Sequence, residues 1–336
     1  MLTSIHIKGF KGFKDTQIAP LRKVNLILGG QNVGKTSLLE AVYFGASDAG
    51  QLQRLASVFR LAEGNDAARF LHTALKGKHG LIDLVGERHC KLSTYINSPD
   101  TTPRFGQLVQ RDRGDGIEVE QYVDASSANA LVRAATNGFS AASLVQSLGF
   151  APPLAVSVHL PGQIQAVQLF DKVVVARKKR RLLDMLRRIE PRLEDMHSLS
   201  PDGELRVYIE LEGDAVALPL PQLGHGFSRL VHLYCSLLIT ESKLALIDEI
   251  ENGIHYSSLP TLFQGIQDLA QKSEVQTMMT THSWECIRAA YNTFVDAHAL
   301  QDFQLIRLER EGDNIRAVVI NDENLESVME AGYEVR

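Results

Sequence analysis

The chain has 336 residues, of which 44% are hydrophobic and 22% are charged, and its formal net charge is −5. This composition predicts a folded protein with room for more than one domain, and it excludes a nucleic-acid-binding protein that depends on overall positive charge. Three widely spaced cysteines exclude a disulfide scaffold and a zinc site built on paired cysteines.

The first elements are predicted to be strands, at residues 3 to 9, about 15 to 19, and 24 to 28. The opening MLTSIHIKGF alternates apolar and polar residues and lacks the apolar segment of a signal peptide. No apolar run reaches membrane-spanning length. We therefore expect a cytoplasmic protein that makes no contact with a membrane.

The segment GGQNVGKTSLLEAV follows the third strand and fits the pattern of a phosphate-binding loop. In such a loop, backbone N–H groups and the N-terminus of the next helix point at an anion. Lys35 is expected to reach the outer phosphates of ATP, and Thr36 to ligate Mg²⁺. The residues predicted to bind the nucleotide here are Gly29, Gly30, Gln31, Asn32, Val33, Gly34, Lys35, Thr36 and Ser37.

A helix is predicted from the loop to about residue 46, with more helix between Gln51 and Leu75. From Gly80 to Val123 the segments alternate in polarity and are separated by the turn-rich RDRGDG, which indicates an antiparallel sheet. Residues 125 to 148 are rich in Ala, Ser and Leu and are predicted to be helical. After the strand PPLAVSVHL, a long helix is predicted from about Ala166 to Met196.

This long helix carries the strongest run of positive charge in the chain. Arg177, Arg181, Arg188 and Arg192 have helical spacing and are predicted to form a stripe on one face. The stripe suits the phosphates of DNA or RNA, bound without sequence preference. An acidic partner protein and a plain solvated surface remain as alternatives.

The C-terminal part supplies a second set of candidate residues. After the hairpin ELRVYIELEGDAVALPL and the segment GHGFSRL, the apolar strand LALI ends in Asp248 and Glu249. A buried strand that ends in carboxylates is what an ATPase needs opposite its phosphate loop. Asp248 is expected to help hold Mg²⁺, and Glu249 to activate the attacking water. His282, in TTHS, follows another predicted strand and is expected to contact the γ-phosphate.

The order of these segments resembles the ATP-binding-cassette (ABC) superfamily, in which a signature loop precedes the acidic strand and a switch histidine follows it. In that superfamily the signature loop of one subunit caps the nucleotide held by the other. The resemblance implies a head-to-tail homodimer or a higher homo-oligomer. It assigns Gly224, Gly226 and Arg229, in GHGFSRL, to the ATP of a second subunit.

Within this superfamily the chain resembles the RecF and SMC-like ATPases, and among them the overcoming-lysogenization-defect (OLD) group. The matching segments are IHIKGFKGFKD, GGQNVGKTSLLEAV, IDEIENGIHYSSL and TTHS. The first of them places Lys11 where many members carry an Arg near the nucleotide. The resemblance implies an anti-phage defence role, in which the ATPase acts with a separate effector, a nuclease of the TOPRIM type.

Some features depart from the group. Gly224 stands where the signature usually has Ser, and His225 where many relatives have a small or acidic residue. Gln31 and Gln163 are both candidates for the metal-linked glutamine. Too few residues follow His282 for the TOPRIM nuclease domain of full-length OLD proteins, so we expect that this chain does not cut DNA.

The predicted fold is an α/β ABC-type P-loop ATPase head, with a mixed sheet, flanking helices and an antiparallel β subdomain. Residues 1–124 and 200–336 are expected to form the head, and residues 125–199 a mainly helical insertion. The function implied is slow hydrolysis of ATP with Mg²⁺. Two alternatives remain: a RecF/SMC-like DNA repair ATPase, and a nucleotide-gated scaffold with little turnover.

Overall fold

A computed structural model describes residues 1–46, 79–86, 91–97, 104–110, 117–122, 131–134, 153–156, 161–201, 203–240, 242–273 and 275–330. The first part contains β1 (Leu2–Phe10), β2 (Phe13–Ile18), β3 (Val24–Leu28), α1 (Lys35–Ala46), β4 (His79–Gly86), β5 (Lys91–Asn97), β6 (Arg104–Gln110), β7 (Ile117–Tyr122) and β8 (Leu131–Ala134). The middle part contains β9 (Leu154–Val156), α2 (Gln163–Val175), α3 (Lys179–Leu186), β10 (Leu193–Leu199), β11 (Arg206–Leu211) and β12 (Leu218–Pro219).

The C-terminal part begins with a short 3-10 turn at Leu220–Leu223, which leads into α4 (His225–Ile239). It continues with β13 (Leu244–Ile247), α5 (Leu259–Ser273), β14 (Gln276–Thr280), α6 (Trp284–Asp296), β15 (Phe303–Glu311), β16 (Asn314–Ile320) and α7 (Asp322–Glu330). Within the described ranges, no helix combines the length and the apolar character that crossing a bilayer requires.

The central sheet has the strand order β16-β15-β3-β14-β13-β9. Neighbours from β15 to β9 are parallel, and β16 closes one edge as the antiparallel arm of a hairpin. Since β3, β14 and β13 lie side by side and run the same way, their carboxyl ends meet at one edge. The segments that follow these strands are the phosphate loop, TTHS and the Asp248 segment, so the topology brings the predicted site together.

Side chains of β3 divide the core between the two faces of this sheet. Val24, Leu26 and Leu28 belong to a cluster with residues of α2, α4, α5 and α6. Ile27 belongs to a second cluster, with residues of α1, β1 and β4. Burial on both faces explains why β3 is apolar throughout except for the buried Asn25.

A second sheet, of order β2-β1-β4-β5-β6-β7-β8, is antiparallel throughout and confirms the predicted antiparallel region. α1 packs against β4, and this brings the sheet close to the phosphate loop. The helix predicted between Gln51 and Leu75 lies outside the described residues.

Two helix predictions in the middle of the chain were wrong in part. Residues 131–134 form β8, because pairing with β7 outweighs the helix preference of an Ala-rich segment. The rest of the helix predicted from 125 to 148 lies outside the described residues. The long helix is divided into α2 and α3, and the chain then enters β10, which pairs with β11. β9 lies in the central sheet, so part of the predicted insertion belongs to the head.

Candidate functional site

The phosphate loop joins β3 to α1 beneath the β15–β16 hairpin. Gly29 and Gly34 have φ values of 141° and 110°, in the region that favours glycine. A Cβ on Gly29 would lie 2.5 Å from the carbonyl oxygen of Leu308. Asn32 has a φ of 56°, Val33 is buried, and Gln31 and Asn32 are exposed. A Cβ on Gly30 would meet no atom within 4 Å, so the loop geometry requires glycine at 29 and 34 and not at 30.

Lys35 is buried at the start of α1, with its ammonium group inside the loop. Its Nζ donates to the carbonyl oxygens of Gly29 at 2.7 Å and Gly30 at 2.9 Å, and it lies 3.2 Å from Nδ1 of His282. Burial lowers the pKa of Lys35, while the carboxylates of Asp248, Glu251 and Glu249 oppose this shift. An ammonium group can only donate, so the contact assigns Nδ1 of His282 as the acceptor and leaves the proton of the neutral ring on Nε2.

Thr36 and Asp248 come together across the loop. The Thr36 hydroxyl donates to Asp248 Oδ2 at 3.0 Å, and the hydroxyl of Thr280 donates to Asp248 Oδ1 at 2.6 Å. This is an oxygen-only pair of the kind that Mg²⁺ accepts when water and phosphate complete its coordination. The donor set therefore fits the predicted metal, although within the described ranges no cluster of three or more His, Cys, Asp or Glu residues forms a site by itself.

Glu249 lies at a sharp bend directly after Asp248, with a φ of 45°. Two bonds to Thr280 hold this bend: the N–H of Glu249 donates to the hydroxyl at 2.8 Å, and the N–H of Ile250 donates to the carbonyl oxygen at 3.0 Å. Glu249 Oε2 also accepts a bond of 3.4 Å from the side chain of Asn252. The bend leaves the Glu249 side chain half-buried, and its carboxylate is near enough to Lys35 to affect the pKa of that lysine.

His282 follows β14, where its N–H donates to Oε1 of Glu251 at 2.7 Å. The next residue, Ser283, caps α6 by accepting a bond from the N–H of Cys286 at 3.1 Å. These two hydrogen bonds fix the backbone at His282 and at Ser283. The exposed ring of His282 thereby lies against Lys35.

The predicted signature residues have different surroundings from one another. Gly224 is exposed, has a φ of 91° and leads into α4. Gly226 sits against the chain after Asp248, since a Cβ there would lie 2.7 Å from the carbonyl oxygen of Gly253. Arg229 is buried and donates to the carbonyl oxygens of Asp248 at 3.5 Å and Glu249 at 3.3 Å. Its described contacts therefore hold the acidic loop of its own chain, which we define as residues 248–254; phosphate binding by Arg229 stays a prediction.

Lys11 was predicted to lie near the nucleotide. It forms an ion pair with Glu40, a buried residue of α1 that also bonds Ser37. Burial raises the pKa of Glu40, and the ammonium of Lys11 opposes that rise. Lys11 is thus anchored to the helix that carries Lys35 and Thr36.

The predicted stripe of arginines is not continuous. Arg177 has a φ of 57° and ends α2, where its N–H and that of Lys178 bond back to Val174 and Val173. Arg181 is on α3 and donates to the carbonyl oxygen of Asp268, and Arg188 pairs with the Asp268 carboxylate. Arg192 lies beyond the helix and pairs with Glu190. The prediction of one helical face was wrong, because the chain turns at Arg177 and again after Leu186.

Gln31 and Gln163, the two candidates for a metal-linked glutamine, lie in different places. Gln31 is in the phosphate loop, and Gln163 begins α2 and donates to the carbonyl oxygen of Leu205 at 3.4 Å. The geometry gives Gln163 no described contact with Thr36 or Asp248. Sequence reasoning gave no role to Glu251, although its position two residues after Glu249 was a usable signal.

Comparisons with known proteins give one family model and several similar proteins. The family model described as "AAA ATPase domain" matches residues 1–70 and 166–287, which are together more than half of the chain. An "ATP/GTP phosphatase" of Helicobacter pylori is 24% identical over 97% of this chain and 100% of its own length. The "DNA replication and repair protein RecF" of Shewanella sediminis is 46% identical over 43 residues, which are 13% of this chain and 12% of RecF.

A solved SMC head, bound in that crystal to the C-winged helix domain of ScpA, has a TM-score of 0.58 and 13% identity, with 97% of this chain and 99% of that chain covered. This likeness confirms the predicted fold, an SMC-like α/β head of the P-loop ATPase type.

Proposed function

The chain belongs to the AAA ATPase domain family, and on this premise we propose that it binds ATP with Mg²⁺ and hydrolyses it slowly. The observation that carries the proposal is the meeting of five predicted residues at one edge of the central sheet: Lys35, Thr36, Asp248, Glu249 and His282. Each contributes a group that phosphoryl transfer to water requires.

In the proposed mechanism the phosphate loop and Lys35 bind and neutralise the outer phosphates. Thr36 and Asp248 would hold Mg²⁺, which supplies further positive charge at the phosphate oxygens when bound. Glu249 accepts a proton from the attacking water, which approaches the γ-phosphorus in line with the leaving oxygen. His282 donates from Nε2 to the γ-phosphate. This agrees with the tautomer inferred from the contact between Lys35 Nζ and His282 Nδ1.

We place the second half of the site in another copy of the chain. The exposed Gly224 directly precedes the N-terminus of α4, where the first N–H groups of a helix have no partner within the helix, and this position suits an ATP held by a partner. The OLD-like subtype, the defence role and a separate nuclease effector of the TOPRIM type are part of the proposal and rest on the resemblance of the motifs. Phage plating on cells that carry the wild-type gene or a Lys35→Met gene tests the defence role.

A second candidate is a DNA repair ATPase, and the short match to RecF favours it. The ion pairs of Arg188 and Arg192 leave the arginine segment less free to bind phosphates than its sequence suggests. Duplex DNA binding that weakens steeply with salt would support this candidate, and its absence would favour the defence role.

Hydrolysis is tested with Lys35→Met, since methionine keeps the length of the side chain without its charge. We expect phosphate release to fall at least about 100-fold, and affinity for ATP to fall with it. EDTA should abolish the wild-type rate. Lys14→Met is the matched control, because Lys14 is exposed and its ammonium group pairs with Asp313. A Lys35→Met variant with the wild-type rate would refute the proposal.

A further inference from the structure

Glu251 connects the acidic loop to His282 by a side chain. Its Oε1 accepts the hydrogen bond of 2.7 Å from the N–H of His282. The other bonds between the loop and the end of β14 involve Thr280 and act on Asp248, Glu249 and Ile250. His282 is thus hydrogen-bonded to Glu251 through its backbone and to Lys35 through its ring.

The second oxygen of Glu251 is unusual for a carboxylate. Oε2 is buried and has no hydrogen-bond partner within the part of the chain that the structure describes. Most buried polar atoms in folded proteins are paired, and a neutral amide would make the same bond to His282 with less cost of burial. The carboxylate does favour the charged form of Lys35, which lies on the other side of His282.

The acidic loop is held at its other side by α4. Arg229 donates to the carbonyl oxygens of Asp248 and Glu249, and Gly226 allows α4 to approach Gly253 closely. A continuous series of contacts therefore leads from the first turn of α4, through the acidic loop and Glu251, to His282 and Lys35. The start of α4 is also where we place the ATP of a second copy.

We propose that Glu251 is a positioning residue, which fixes the backbone of His282 and transmits movement of α4 to it. The inference rests on the proposed function, because His282 must contact the γ-phosphate for its position to matter to turnover. Glu251 itself need not touch the nucleotide in this role. The hydrogen bond at Oε1 carries the effect, so an amide oxygen in the same place should preserve it.

Turnover rates of variants of the full-length protein distinguish the effect of the Glu251–His282 hydrogen bond from the effect of the negative charge on Glu251. We expect Glu251→Ala to lower kcat about 10- to 100-fold while the Kd for ATP changes less than about 3-fold. Glu251→Gln should stay within about 3-fold of the wild-type kcat, since its amide oxygen still accepts. Glu285→Gln is the matched control, because the carboxylate of Glu285 accepts a hydrogen bond from the hydroxyl of Ser283. Equal losses in Glu251→Gln and Glu251→Ala would overturn the proposal.

A double-mutant cycle with His282→Ala tests whether Glu251 acts through His282. If it does, Glu251→Ala/His282→Ala should be no slower than His282→Ala alone, within about 3-fold. If the loss of kcat in the double variant equals the product of the losses in the two single variants, Glu251 acts independently of His282. That result would overturn the proposal.

Amide hydrogen exchange at His282 tests the connection without turnover. The His282 N–H should exchange at least about 10-fold faster in Glu251→Ala than in the wild type or Glu251→Gln. If Glu251→Ala does not fold, Glu251→Asp replaces it: the shorter side chain keeps the charge and should lose the protection. Unchanged exchange would refute the positioning role. A wild-type protein with no turnover but with this exchange pattern would refute the proposed function alone.

Discussion

His232 lies on α4, one turn beyond Arg229, with its ring partly buried. Its Nδ1 has no hydrogen-bond partner among the described residues. Burial, together with a smaller effect of the nearby charge of Arg229, lowers the pKa of His232 from 6.5 to about 4. The folded protein therefore keeps this ring neutral at a pH where the same ring in the unfolded chain binds a proton.

Acid should destabilise the protein in part through His232. Between pH 6.5 and about 4 the unfolded chain binds more protons at this residue, so the free energy of unfolding falls as the pH is lowered. The full effect is on the order of 3 kcal/mol. We expect His232→Leu to remove most of this difference, measured by urea unfolding at pH 7, 5.5 and 4.5. The exposed His79→Gln is the control, and a His232→Leu variant that loses as much stability as the wild type would contradict the assignment.

At the scale of single residues, contiguous motifs were the predictable part. The order of Gly29, Gly34, Lys35 and Thr36 defines a loop by itself, and the structure places these residues as the loop requires. The described contacts of Arg229, Lys11 and Glu251 were not predictable, because each depends on a partner far away in the sequence. Arg229, for example, reaches carbonyl oxygens about 20 residues later in the chain.

At the scale of elements, the critical contact is the packing of the first turns of α4 against the acidic loop. Gly226 has no side chain and lies against Gly253, and Arg229 bonds the loop from one turn further along α4. Both contacts hold the acidic loop that contains Glu249, the residue that we propose activates the water. Close approach of two backbones is a use of glycine that no other residue can replace.

Gly226→Ala should move α4 away from the acidic loop. The added Cβ would lie 2.7 Å from the carbonyl oxygen of Gly253, which is part of the backbone and cannot turn aside as a side chain can. We expect phosphate release to fall about 10-fold or more, with a loss of stability of about 1–3 kcal/mol. Gly162→Ala is the control, because its Cβ would meet the movable end of Gln165. Unaltered turnover in Gly226→Ala would show that this contact does not position Glu249.

Elements with a strong local sequence pattern were predictable. Elements that form because another strand pairs with them were not. β3, α1 and β13 followed from apolar runs beside a motif, whereas β8 formed in an Ala-rich segment because β7 offers backbone partners. The supposed stripe failed for a similar reason: Arg177 takes a left-handed conformation that ends α2, and helical spacing has no meaning across such a turn.

At the scale of the whole molecule, one site is built from segments that are far apart in the sequence. The parallel order β3-β14-β13 is what allows this, since loops after all three strands share one edge of the sheet. That arrangement explains why residues so far apart in the sequence meet at one edge; their roles in catalysis stay predictions. The partner copy and the effector involve surfaces that a single chain does not display, and they stay predictions.

The central claim is that Glu249 activates water for hydrolysis of ATP held by Lys35 and Thr36. Its most direct test is the Glu249→Gln variant. Single-turnover experiments measure its hydrolysis, nucleotide-retention experiments measure its bound ATP, and the mass of the protein in solution is determined with and without ATP. We predict that turnover falls at least about 100-fold, while ATP stays bound and the ATP-bound protein doubles in mass. The exposed Glu212→Gln should behave as wild type. Turnover by Glu249→Gln at the wild-type rate would contradict the account.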